Sequence, residues 1–243
     1  MIDFQLIQAS GGVLTLTPFE KDFRYGSKQA TRNSSLAVSL QQLGAFVACF
    51  AIWPVTHRLG RKWALIICST IFIIGVIVQA CNTHSFAAFL VARVVAGIGL
   101  GGSSVVVPMF SSEMSPKQIR GQVGSFYQLF YTLGIFTSYW VDYAVSKDIP
   151  KTESRQWQIP VGLQILPAAL LGLGMLTLKE STRWLTMQGR HEEAWESLKW
   201  IRADDGPTTQ LEMDEIRSGV ASEALAREGF QLKGEALSAE NPI

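Results

Sequence analysis

For most of its length the chain alternates long apolar runs with short polar links. Leu36 to Val55, Trp63 to Cys81, Phe86 to Phe110, Gly121 to Tyr143 and Trp157 to Leu178 form the runs. A helix needs about 20 mostly apolar residues to cross a bilayer. A soluble core has no use for five such runs in close succession, whereas a bilayer requires them, because a spanning backbone must satisfy its own hydrogen bonds. The pattern predicts five transmembrane helices. The opening stretch "MIDFQLIQASGGVLTLTPF" is apolar enough to belong to a span but has no basic start or cleavage site of a signal peptide. It reads as a partial first helix.

After Leu185 the pattern changes to that of amphipathic helices in water. "GRHEEAWESLKWIRADDG" sets Ala194, Leu198 and Ile201 on one face, and Thr209 with Glu212 forms a capping box ahead of a short helix holding Ile216 and Val220. Beyond Ala221 the tail reads as weakly ordered. The expected division is a transmembrane bundle over 1–185 and a cytosolic helical linker and tail over 186–243.

Composition supports the bilayer. Charged residues make up 17% of the chain and mean hydropathy is +0.20, against about 25% charge in an ordinary soluble domain. No charge falls between Gly121 and Val141, and charge is dense beyond Lys179. A net charge of +1 gives no sign of a nucleic-acid partner. Cys49, Cys68 and Cys81 lie in apolar runs without metal or disulfide spacing. Basic residues set the orientation. Arg58, Arg61 and Lys62 follow the first run, Lys117 and Arg120 the third, and Lys179, Arg183 and Arg190 the fifth, while "NTHS" after the second has none. These three exits are expected in the cytosol, against the opposing flanks of Lys21, Arg24, Lys28 and Arg32 and of Lys147, Lys151 and Arg155.

The third run contains Gly97, Gly99 and Gly102 in a G-x-G-x-x-G spacing. A dinucleotide loop would need a strand before it and an acidic residue about 20 positions on. The residue there is Lys117, and "SFAAFLVARVVA" upstream is a long apolar run. On a helix, Gly97 and Gly101 instead share a face and let two backbones approach in lipid. Arg93 lies one turn earlier on that face. A charge at mid-span costs about 3 kcal/mol on an insertion scale, so it faces a cavity or bundle interior, or snorkels to the interface.

These residues resemble the signature of the sugar porters, the sugar-transporter family of the major facilitator superfamily: Arg93, then Gly97, Gly99 and Gly101, then Pro108, Phe110 and Glu113, then Arg120 and Gly121. "HRLGRKW" is similar to the D-R-x-G-R-[RK] loop, with His57 in place of Asp. "QVGSFYQLFYTLGIFTSYW" resembles helix five, "WQIPVGLQILPA" the fungal entry to helix six with Gln158 for Arg, and "KESTRWL" the P-E-S-P-R-[WF]-L segment with Lys179 and Thr182 for its prolines. "GGVLTLTPFEKDF" resembles the end of helix one, with Asp3 as a stand-in for the acidic residue that precedes it.

The resemblance covers Gly11 to about Ile216 and implies an all-α membrane protein, the N-terminal half of a major facilitator bundle. It implies transport of a sugar or sugar-like polyol by alternating access, with no enzymatic step and no cofactor or metal. The implied partners are the polyol, a proton and the surrounding lipid bilayer, at the plasma membrane. It assigns substrate contact to Gln128, Arg93, Gln164 and Tyr131, and helix packing to Gly97, Gly99 and Gly101. Gating charge pairs fall to Arg58, Arg61, Lys62, Glu113, Arg120, Glu180 and Arg183. The rivals are a transporter-like sugar sensor and, with less in its favour, an NAD-binding enzyme.

Overall fold

The structure, a computed structural model, describes Phe19, Asp22, Phe23 and residues 27–81, 85–150 and 153–240. Most of the expected partial first helix, including Asp3, lies outside the described residues. Every described element is a helix: α1 (Ser27–Leu59), α2 (Arg61–Ala80), α3 (Phe86–Met114), α4 (Arg120–Asp148), α5 (Arg155–Leu163), α6 (Ile165–Thr177), α7 (Thr182–Met187), α8 (His191–Arg202) and α9 (Pro207–Glu240). Among the described residues no strand precedes the glycines, which sit inside α3. A dinucleotide loop needs a strand-to-helix turn at that point, so the NAD-binding reading falls.

Four helical stretches among the described residues are long and apolar enough to cross a membrane: Arg32–Leu59, Arg61–Ala80, Phe86–Met114 and Arg155–Thr177. The expected run Gly121 to Tyr143 forms α4, which has 29 residues. Gln122, Ser125, Gln128, Thr132 and Thr137 dilute its apolar character. Many large apolar side chains point outward. Leu43, Phe46, Val47, Phe50 and Trp53 form an exposed stripe on α1, and Leu166, Leu170 and Leu173 one on α6. Small and polar residues, including Ala37, Gln41, Ala45, Ala64, Gln79, Arg93 and Ala96, share the interior with larger ones such as Leu65, Phe72, Phe89 and Trp157. Such continuous exposed apolar faces are stable only where the solvent is itself apolar.

The chain divides into two compact units, Met1–Lys179 and Glu180–Ile243. The division falls earlier than 185/186 because Trp184 and Leu185 bury themselves with Ala194, Leu198 and Met213. Ser181 caps α7, its Oγ accepting from the Trp184 N–H at 3.4 Å. Two expectations for this second unit change. The Glu212 carboxylate takes two bonds from Arg202, at 2.7 and 2.8 Å, in place of a capping-box bond. The helix that follows is not short: α9 runs 34 residues to Glu240 through the stretch read as weakly ordered.

Candidate functional site: a glycine-locked bundle around Arg93

In the first unit α1, α2 and α3 approach at glycines. A Cβ on Gly97 would overlap the Gln41 carbonyl, and one on Gly101 the Ala45 backbone. On the other side of α3, a Cβ on Gly99 would lie 2.6 Å from the Phe72 nitrogen and from the Cys68 oxygen. Gly97 and Gly101 therefore seat α1, and Gly99 seats α2. Gly60 makes the turn from α1 to α2 with φ of 94°, a conformation that disfavours any side chain.

Arg93 is fully buried at this crossing, 1% exposed. Its NH1 donates to Gln41 Oε1 at 2.8 Å, and its guanidinium carbon stands 4.9 Å from the Phe89 ring centroid. Gln79 Nε2 donates to the carbonyl of Ala92 at 3.2 Å. The charge thus lies inside the bundle and does not snorkel. Sequence reasoning missed Gln41 and Gln79. Their one signal is an amide within an apolar run, where a polar group must find a partner.

At the opposite end, Arg61 NH2 meets Glu113 Oε1 at 3.0 Å, with the two side chains 9% and 10% exposed. The next residue, Lys62, donates to the carbonyls of Leu176 and Leu178 at 3.1 and 2.6 Å. Consecutive residues at the start of α2 therefore hold the end of α3 and the end of α6. Arg58 and Arg120 are exposed and make no ion pair among the described residues. Within the second unit, Glu180 accepts from the Ser181 N–H at 2.9 Å, and Arg183 pairs with Glu223 on α9. That last pair is about half exposed, which limits it to about 1 kcal/mol or less.

The four residues assigned to substrate do not share one environment. Gln164 is 1% exposed, at the break between α5 and α6. Gln128 is exposed and Tyr131 half-buried on α4, a helix that buries only Gly134 and Ser138. An open groove of about 700 Å³ on α5 and α6 is lined by Ile159, Gly162, Leu163, Ile165, Leu166, Ala169, Leu170 and Leu173. It offers no side chain that could bond a hydroxyl and does not suit a polyol. Among the described residues no group of three His, Cys, Asp or Glu could hold a metal.

Apolar outer faces, glycine crossings and a buried guanidinium define the class as a multi-pass α-helical membrane protein. The profile of the family described as "Sugar (and other) transporter" matches residues 7–236. The chain belongs to this sugar transporter family. It is 38% identical over 197 residues to a probable quinate permease of Aspergillus flavus and 36% identical over 194 residues to a quinate permease of Emericella nidulans. Each alignment covers 79% of this chain and 36% of the relative, so the chain spans about a third of the length of these curated relatives. In fold it matches the proton:xylose symporter XylE bound to 6-bromo-6-deoxy-D-glucose, with a TM-score of 0.80 at 23% identity over 96% of this chain and 52% of that one. The inward-open xylose transporter XylE from E. coli matches with a TM-score of 0.75 at 20% identity, over 90% and 53% of the two chains.

Proposed function

We propose that the chain is the N-terminal half of a transporter that moves a sugar or sugar-like polyol across the plasma membrane by alternating access, with a proton as co-substrate and without covalent chemistry. The family match over residues 7–236 carries this reading. The permease relatives widen the cargo from sugars to cyclic polyhydroxy acids. Gln128 is the substrate contact on this half: its exposed amide offers two donors and an acceptor. Transport of this kind places the cargo near the midplane between two halves.

A chain of this span supplies one wall. Two hydrogen bonds from Gln128 are worth about 0.5–1.5 kcal/mol each, whereas millimolar affinity needs about 4 kcal/mol. The test is uptake of labelled quinate and D-xylose in transporter-deficient cells. The 243-residue chain is expected to show no saturable uptake. The same chain joined to the C-terminal half of the Emericella nidulans relative is expected to transport. In that fusion Gln128→Ala should raise the half-saturation concentration by about tenfold, equivalent to about 1.4 kcal/mol. Saturable uptake by the shorter chain, or an unchanged half-saturation value in the variant, would reject the half-site assignment.

The orientation has its own test. The second unit and "HRLGRKW" are expected in the cytosol, and Cys81, exposed after α2, outside. An impermeant thiol reagent applied to intact cells should label Cys81. It should spare a cysteine at exposed Glu192. Ser197 is unsuited as a tag, because it is buried and donates to the Glu180 carbonyl at 2.8 Å. Labelling at Glu192→Cys from outside would invert the topology.

A further inference from the structure

Aromatic rings from three parts of the chain close over one end of the Arg93 site. Phe19 and Phe23 come from the segment before α1, Phe89 from the first turn of α3 and Trp157 from the first turn of α5. Phe19 lies 5.3 Å from Trp157 and 5.2 Å from Phe89 between centroids, both edge-on. Phe23 lies 5.8 Å from Trp157 and 5.5 Å from Phe89. All four are buried, and Ala37 and Ala96 pack in the same cluster. Ala37 is one helical turn from Gln41, the partner of Arg93.

One polar bond fastens the rings. Trp157 Nε1 donates to Asp22 Oδ2 at 2.8 Å, joining residues 135 positions apart. Trp157 is 0% exposed, so its N–H depends on an acceptor inside the protein. Ring contacts hold a distance but allow sliding, whereas a charge-assisted hydrogen bond fixes the register.

We propose that Asp22 is a positioning residue for the Arg93 site. By accepting from Trp157 it holds Phe19 and Phe23 across the starts of α3 and α5. The Phe89 ring then stays seated against the guanidinium, and water stays off the Arg93–Gln41 bond. The seal is a property of the bundle and holds whatever the cargo, so its failure and the failure of the transport reading are separate results.

The test uses the full chain in lipid nanodiscs with Cys49, Cys68 and Cys81 replaced by alanine. Ala37→Cys reports access beneath the rings. Ala64→Cys, buried in the separate cluster of Leu65, Val106 and Phe110, reports general loosening. With a water-soluble maleimide, Asp22→Ala and Trp157→Phe should each speed labelling at position 37 by about tenfold and leave position 64 unchanged. Asp22→Asn, which keeps an acceptor oxygen, should stay within about twofold of the parent. The double variant Asp22→Ala/Trp157→Phe should label no faster than either single one, because both remove the same bond. Equal acceleration at positions 37 and 64, no acceleration at 37, or additive effects would overturn the proposal.

Discussion

Gly101→Ala is expected to separate α1 from α3, while the same change at Gly124 does no harm. A methyl group on Gly101 would overlap the Ala45 carbonyl, Cα and carbonyl carbon, all backbone atoms. No rotamer change relieves such an overlap, so the helices must move apart along the whole crossing that Gly97 shares. Overpacking of this kind typically costs about 1–3 kcal/mol, and occasionally more, where the backbone must shift. Gly124 lies in α4 with nothing within 4 Å of its added Cβ. Alanine there gains up to about 1 kcal/mol of helix propensity. One substitution thus carries opposite signs at two positions. Unfolding by titration with a denaturing detergent measures both, and equal stability of the two variants would refute close backbone packing at Gly101.

Glu113→Gln is expected to be strongly destabilising as well. It neutralises the carboxylate that meets Arg61, whose side chain is nine-tenths buried. Removing one member of a buried pair costs about 3–5 kcal/mol, whereas replacing both by apolar residues is often close to neutral. Arg61→Met/Glu113→Met is therefore expected to recover more than half of the stability lost in Glu113→Gln. In detergent titration, a double variant that loses at least as much as Glu113→Gln would show that the two groups do not act as a pair.

How much of this could be read from the sequence depends on whether the signal was local. The spans are local: an apolar run fixes a helix in lipid wherever it packs, so α1, α2, α3 and the α5–α6 span follow the expected runs. The glycine spacing is local too, because Gly97 and Gly101 share a face on any helix. Arg93 announced a buried partner without naming it. That partner, Gln41, lies 52 residues away, and several other glutamines in apolar runs would have served as well. The unit boundary was hidden for a different reason. Trp184 and Leu185 stand in "KESTRWL", between the last apolar run and the amphipathic segment, and only the packing of α7 against α8 and α9 shows which core they join. Gln128 was assigned by resemblance, and in this half its helix has too few neighbours to enclose it.

The break at Gln164 divides one membrane crossing into two pieces with separate anchorage. The upper piece, α5, is tied by Trp157 to Asp22 and by Gln158 Nε2, which donates to the Ala80 carbonyl at 3.1 Å. The lower piece, α6, is tied by Lys62 at Leu176 and Leu178. Between them the Gln164 N–H reaches back only to Val161 and Gly162, so the regular ladder of i to i−4 bonds that stiffens a helix is interrupted. A rod clamped at both ends transmits torque from one clamp to the other. Gln164 keeps helical dihedrals, φ −62° and ψ −21°, so the rod stays continuous, and the missing bonds make its middle the least stiff part between the two clamps.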